Sequence, residues 1–164
     1  AKHTDGLLVH GFTTAQYLRD VTLPQVEAGL AASGRTRGAF TVSYPGLVAT
    51  GVDGAGVADA VLAVRKQIAF YGATPAYRGV LDLHGWGDLH TELHRLSKVG
   101  DWNTMTSLIE DDVLNTFAVV GEPKAVGAEI VRRFAGQVDR FTLYTPYELD
   151  DATRAQIVPD IHTA

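Results

Sequence analysis

The chain contains no cysteine among its 164 residues. A disulfide framework and a thiolate metal site are therefore excluded, and the cytoplasm is the simplest compartment to expect. No uninterrupted apolar run approaches the roughly 18 residues of a membrane span, and no basic-then-apolar signal opens the chain. Basic charge is scarce: 14 Lys and Arg stand against 19 Asp and Glu, a formal net charge of −5, and the basic residues are scattered. Neither nucleic acid nor an anionic membrane is an expected partner. The Gly-x-Gly-x-x-Gly and phosphate-loop patterns are missing, as is the Gly-x-Ser-x-Gly elbow of a hydrolase.

What is present suits one globular domain over residues 1–164. Hydrophobic residues make up 46% of the chain and charged ones 20%, enough to build a sizeable core. The strongest periodic signal is Val57, Val61, Val64, Ile68 and Tyr71, at steps of four, three, four and three, which stack on one helix face ending at Gly72. Thr74 and Pro75 then suit an N-cap and first helical position, with Tyr77 and Arg78 on the turns that follow.

Short apolar runs supply the strands. Gly6 to Val9 is continuous enough for a strand buried on both faces, as in a parallel sheet. Phe40, Val42 and Tyr44 alternate with Thr41 and Ser43, and Leu47 to Ala49 continue beyond Pro45, which predicts a break or bulge there because proline cannot donate to a ladder. Gly51 to Gly56 reads as a flexible loop. Phe141 to Tyr144 is a third strand and Phe117 to Val120 an ambiguous fourth. Helices fill the intervals, one interrupted near Pro24, others carrying Leu89, Leu93 and Leu96, then Val126, Ile130 and Phe134, with a short acidic one around Asp151 to Ile157.

This alternation is that of parallel βα units. A complete eight-stranded barrel takes about 250 residues, so the expectation is a C-terminal portion of a TIM (β/α)8 barrel, three or four parallel strands with helices, the barrel incomplete in this chain.

Three runs carry a family resemblance: TDGLLVHGF at the start, QIAFYGATPAYRGVLDLHGW in the middle, and FAVVGEPKAVGAEIV followed by DRFTLYTPY. Together they resemble the C-terminal part of luciferase-like oxidoreductases, especially the actinobacterial deazaflavin-dependent branch. The resemblance implies a barrel whose sixth, seventh and eighth strands correspond to the three clear strands here. It implies a cofactor, coenzyme F420 or alternatively FMN, at the strands' C-terminal ends, and hydride transfer to or from an organic substrate. The family's first five strands carry much of the cofactor site and have no counterpart among these residues, so no turnover is expected from the 164 residues alone. Where the family often has Ser or Thr before the proline of the last long helix, this chain has Glu122, which favours the helix N-terminus by charge but would repel a phosphate.

Candidate binding residues follow from position. His10 lies just past the first strand, where βα loops build active sites; it either donates to a cofactor or substrate oxygen or is a loop histidine satisfied by backbone. Tyr77 and Arg78 suit a cavity wall at the strand C-terminal ends, the guanidinium binding an anionic group. Tyr71 suits the same wall, or the core, since it sits on the apolar stripe. Tyr44, Tyr144 and Tyr147 end strands and suit a rim or ordinary packing. His90 and His94 are one helical turn apart, with His84 upstream, which raises a metal-dependent enzyme as an alternative; Glu92 is not placed as in the zinc-protease pattern, and a solvated helix face accounts for the spacing equally. Another alternative is a non-catalytic barrel remnant acting as an assembly module. Open sheet edges predict a homo-oligomer, or pairing with an N-terminal barrel half.

Overall fold

A computed structural model describes residues 1–162. Four strands form one parallel sheet: β1 (Gly6–Leu8), β2 (Thr41–Thr50), β3 (Ala118–Gly121) and β4 (Arg140–Tyr144). The ten-residue β2 is the organiser. Its first residues pair with β1 (Leu7 opposite Val42), its middle with β4 (Tyr44 opposite Phe141), and its end with β3 (Val48 opposite Val119). The ambiguous stretch at Phe117–Val120 is thus a strand from Ala118, and the arrangement is an open segment of a barrel. Among the described residues, β1 and β4 pair with β2 alone, which leaves an outer edge on each.

Pro45 does not interrupt β2. Thr41 and Ser43 turn their backbone groups toward β1, with Thr41 N donating to Asp5 O and Val9 N to Ser43 O, both within 2.9 Å. Residue 45 points the same way, and the ladder to β1 stops there: Val9 N to Ser43 O is the last of these bonds before the proline, which has no N–H to donate, while pairing with β4 continues on the other side.

Alternation along β2 sends its side chains into two cores. Val42, Tyr44 and Val48 join Val9 and Val119 beneath α2 (Leu23–Ala31), α8 (Pro123–Phe134) and α9 (Asp151–His162). Leu47 and Ala49 join Phe12 under α3 (Gly54–Gly72), α5 (Gly87–Val99), α6 (Trp102–Ser107) and α7 (Asp111–Phe117). On α3 the anticipated face is inward: Val64 and Ile68 are fully buried, each contributing about 2 kcal/mol by removal from water.

Local chemistry sets the helix limits. The loop expected over Gly51 to Gly56 is already helical from Gly54, because the Asp53 carboxylate accepts the Gly56 N–H at 2.8 Å and caps α3. A Cβ on Gly51 would lie 2.5 Å from the Gly56 carbonyl carbon, so the turn into α3 needs glycine. Near Pro24 the chain stays helical: α1 (Ala15–Tyr17) leads through a π turn over Leu18–Thr22, where Leu23 N reaches back to Leu18 O, into α2. The wider turn accommodates a proline in the first turn of α2. At the other end of α3, the last carbonyls are capped by histidines: His90 Nδ1 lies 2.7 Å from Gly72 O and His94 Nδ1 2.9 Å from Ala73 O.

Candidate active site

β1 ends at Leu8, and Val9 is tied to Ser43 O, so the next residue is delivered to the C-terminal end of the sheet. That residue is His10. It meets two tyrosines brought by α3 and by the 3-10 turn Pro75–Tyr77 that precedes α4 (Arg78–Leu83). The imidazole stacks on Tyr77 at 4.5 Å between ring centroids and stands edge-on to Tyr71 at 4.9 Å. Phe12 backs both tyrosines and is itself stacked on Phe117.

Hydrogen bonds define the protonation of this group. The Phe12 backbone N–H donates to His10 Nδ1 at 3.0 Å, so that nitrogen must hold a lone pair. A neutral ring therefore carries its proton on Nε2, 3.1 Å from the Tyr77 hydroxyl, which accepts it. Protonating Nδ1 would set two N–H groups against each other. Partial burial acts in the same direction and lowers the His10 pKa below the ordinary histidine value.

Across the opening, the Tyr71 and Tyr144 hydroxyls are 3.1 Å apart. Desolvation, reinforced by the bond to Tyr71, pushes the Tyr144 phenol up to about 12. The Tyr144 phenol is thus protonated at neutral pH, and because the pair shares one hydrogen bond, one hydroxyl proton is left for an acceptor. A cavity of about 340 Å³ opens here, lined by Leu8, Val9, His10, Gly11, Pro45, Tyr71 and Tyr144. Gly11 is needed at its floor: a Cβ would come within 3.0 Å of the Tyr144 ring and 3.1 Å of Pro45 O.

Of the residues expected at a binding wall, His10, Tyr71 and Tyr77 come together, and Tyr144 joins them. Tyr44 is elsewhere. It is 1% exposed, packs between Phe134 and Phe141, and donates to Thr13 O, because it shares the β2 face of Val42 and Val48 beneath α8. Arg78 also stays outside the cluster: its Nε donates to Asp82 one helical turn on, at 3.2 Å, and the side chain is half exposed. Tyr147 is a tie rather than a rim group, accepting from Thr50 N at 2.8 Å and reaching Val48 O at 3.1 Å.

The remaining histidines are occupied separately. His84 shares a hydrogen bond with Thr14 Oγ1 at 2.9 Å and stacks on Trp86, while His90 and His94 hold the end of α3. Among the described residues no group of three or more His, Cys, Asp or Glu is arranged to hold a metal ion, and no helix is long and apolar enough to cross a membrane. Glu122 occupies the N-cap of α8, its carboxylate making no capping bond.

A family model described as luciferase-like monooxygenase matches residues 1–140. The chain belongs to that family. Uncharacterised proteins of Mycobacterium bovis and of two strains of Mycobacterium tuberculosis are 54% identical to this luciferase-like chain over 136 residues, which is 83% of it. The chain spans 40% of the length of these curated relatives. Its fold is similar to that of the coenzyme F420 dependent tetrahydromethanopterin reductase from Methanopyrus kandleri, with a TM-score of 0.74 at 20% identity, covering 97% of this chain and 44% of the reductase. The luciferase-like barrel accounts for the parallel sheet and the helices that cover it. It also makes the chain part of an oxidoreductase family.

No sequence pattern connects Tyr71 with Tyr144. They are 73 residues apart, and only the parallel register of β4 on β2, with Leu47 opposite Tyr144, brings the second tyrosine level with α3.

Proposed function

We propose that this chain forms the substrate-side wall of an oxidoreductase site in which a hydride passes between coenzyme F420 and an organic substrate. The observation that carries the reading is the juxtaposition of the neutral His10 with the Tyr71 and Tyr144 hydroxyls, around a cavity at the C-terminal end of the sheet. The donor set fits such a cofactor and its substrate: flat aromatic side chains for a planar ring, and uncharged donors for ring or substrate carbonyls. F420 supplies the hydride donor or acceptor when bound. FMN presents similar ring carbonyls and is the alternative cofactor.

The protein's own part is positioning and proton holding. The phenol proton not shared within the Tyr71–Tyr144 pair is directed at a carbonyl oxygen. Phe12 N–H fixes the His10 ring, whose Nε2–H orients Tyr77. Turnover belongs to a complete barrel, so binding is the property to measure on this chain. Titration with F420 and with FMN, followed by cofactor fluorescence, should give saturable quenching with F420, weakened about fivefold in His10→Ala, which removes a flat ring from the wall and releases Tyr77. No quenching by either cofactor would overturn the reading.

A further inference from the structure

We propose that the cavity beside His10 selects an uncharged carbonyl compound, a ketone, aldehyde or enone, over carboxylate or phosphate substrates. The inference deepens the oxidoreductase reading and rests on it. Its basis is the charge inventory of the wall. Leu8, Val9, Gly11 and Pro45 supply apolar or backbone surface, and the polar groups are the phenols of Tyr71 and Tyr144 and one imidazole. None of these carries a fixed charge.

No lysine or arginine is among the residues that line the cavity. Arg78 is turned outward onto Asp82. Arg140 lies on the strand face shared by Thr142 and Tyr144, but level with Ser43, toward the opposite end of β4, and does not line the cavity. His10 becomes a cation only by giving up the Phe12 N–H bond to Nδ1. The groups in ring or hydrogen-bond contact with it are Tyr71, Tyr77 and the Phe12 backbone; no carboxylate is among these contacts to favour the charged ring. An anion entering the cavity would exchange its hydration for one phenol donor and apolar surface, an unfavourable trade without a countercharge. A neutral carbonyl loses far less on leaving water and needs one donor, which is what the tyrosine pair leaves over. The formal net charge of −5 adds a repulsive field for anions.

The test compares cyclohex-2-enone with cyclohex-1-ene-1-carboxylate, probes of similar shape differing in charge, added to the 15N-labelled chain at pH 7.5 and read at the Phe12 and Gly11 amides. The expected result is saturable shifts with the enone, at least tenfold weaker binding of the carboxylate, and about fivefold weaker enone binding in both Tyr144→Phe and Tyr71→Phe, which retain the rings. Equal or tighter carboxylate binding, or no enone binding, overturns the inference. The F420 titration fails independently: enone preference without cofactor binding retires the oxidoreductase reading while leaving the pocket's selectivity, and cofactor binding with carboxylate preferred retires the selectivity alone.

Discussion

At His10 a single backbone donor decides which proton the ring keeps. Because Phe12 N–H occupies Nδ1, the folded protein favours the neutral imidazole, and burial lowers the pKa further. A base with a depressed folded pKa binds fewer protons in the folded state, so its stabilising effect is full above the unfolded value of about 6.5 and is lost as pH falls below it. His84, also lowered by burial, adds to the same trend. Melting temperature should therefore fall between pH 7 and 5, and His10→Asn should flatten part of that fall, since the asparagine oxygen can accept the same N–H two residues on without titrating. An unchanged slope would contradict the assigned hydrogen bond. His10 was visible in the sequence because the apolar run before it fixed a strand end. The burial of Tyr44 was also available there, since it alternates with Phe40 and Val42 on one face; position at a strand end concealed that the face belongs to α8.

At the scale of elements, α3 shows how distant residues complete a helix. Its buried stripe was legible as a 3.6-residue period, but its C-terminal cap was not, because the caps come from α5, a separate helix 18 and 21 residues further on. The spacing of His90 and His94 that suggested a metal is the spacing needed to serve successive carbonyls, Gly72 O and Ala73 O, from one helix face. His90 is buried, so His90→Ala leaves a carbonyl without a partner and a cavity; it should cost about 2 kcal/mol in urea unfolding, and the half-buried His94→Ala about 1 kcal/mol. Equal and negligible effects would contradict the capping role. Pro45 stays within β2 because pairing with β4 continues opposite it, Pro45 facing Thr142, while the ladder to β1 stops at the proline; a second neighbouring strand is not recorded in any local pattern.

For the whole molecule, the open sheet face is the dominant feature. Gly6, Leu8 and His10 of the first strand region lie on it, with Leu8 76% exposed, beside the half-buried Thr41 and Ser43 and the exposed Arg140 and Thr142. The face is more polar than a strand buried on both sides would present, yet β1 and β4 each keep an unpaired outer edge among the described residues. Edges of this kind pair with further strands. We expect self-association of the isolated chain, seen as a species larger than 17.6 kDa by light scattering after size exclusion; a monomer that unfolds cooperatively would contradict it. The proposal that His10, Tyr71 and Tyr144, with Tyr77 stacked on His10, form a cofactor-facing substrate wall is tested most directly by mapping F420 on the 15N-labelled chain. The account predicts saturable shifts concentrated at the amides of Gly11, Phe12, Tyr71, Tyr77 and Tyr144. Shifts confined to other parts of the sheet, or none at all, would contradict it.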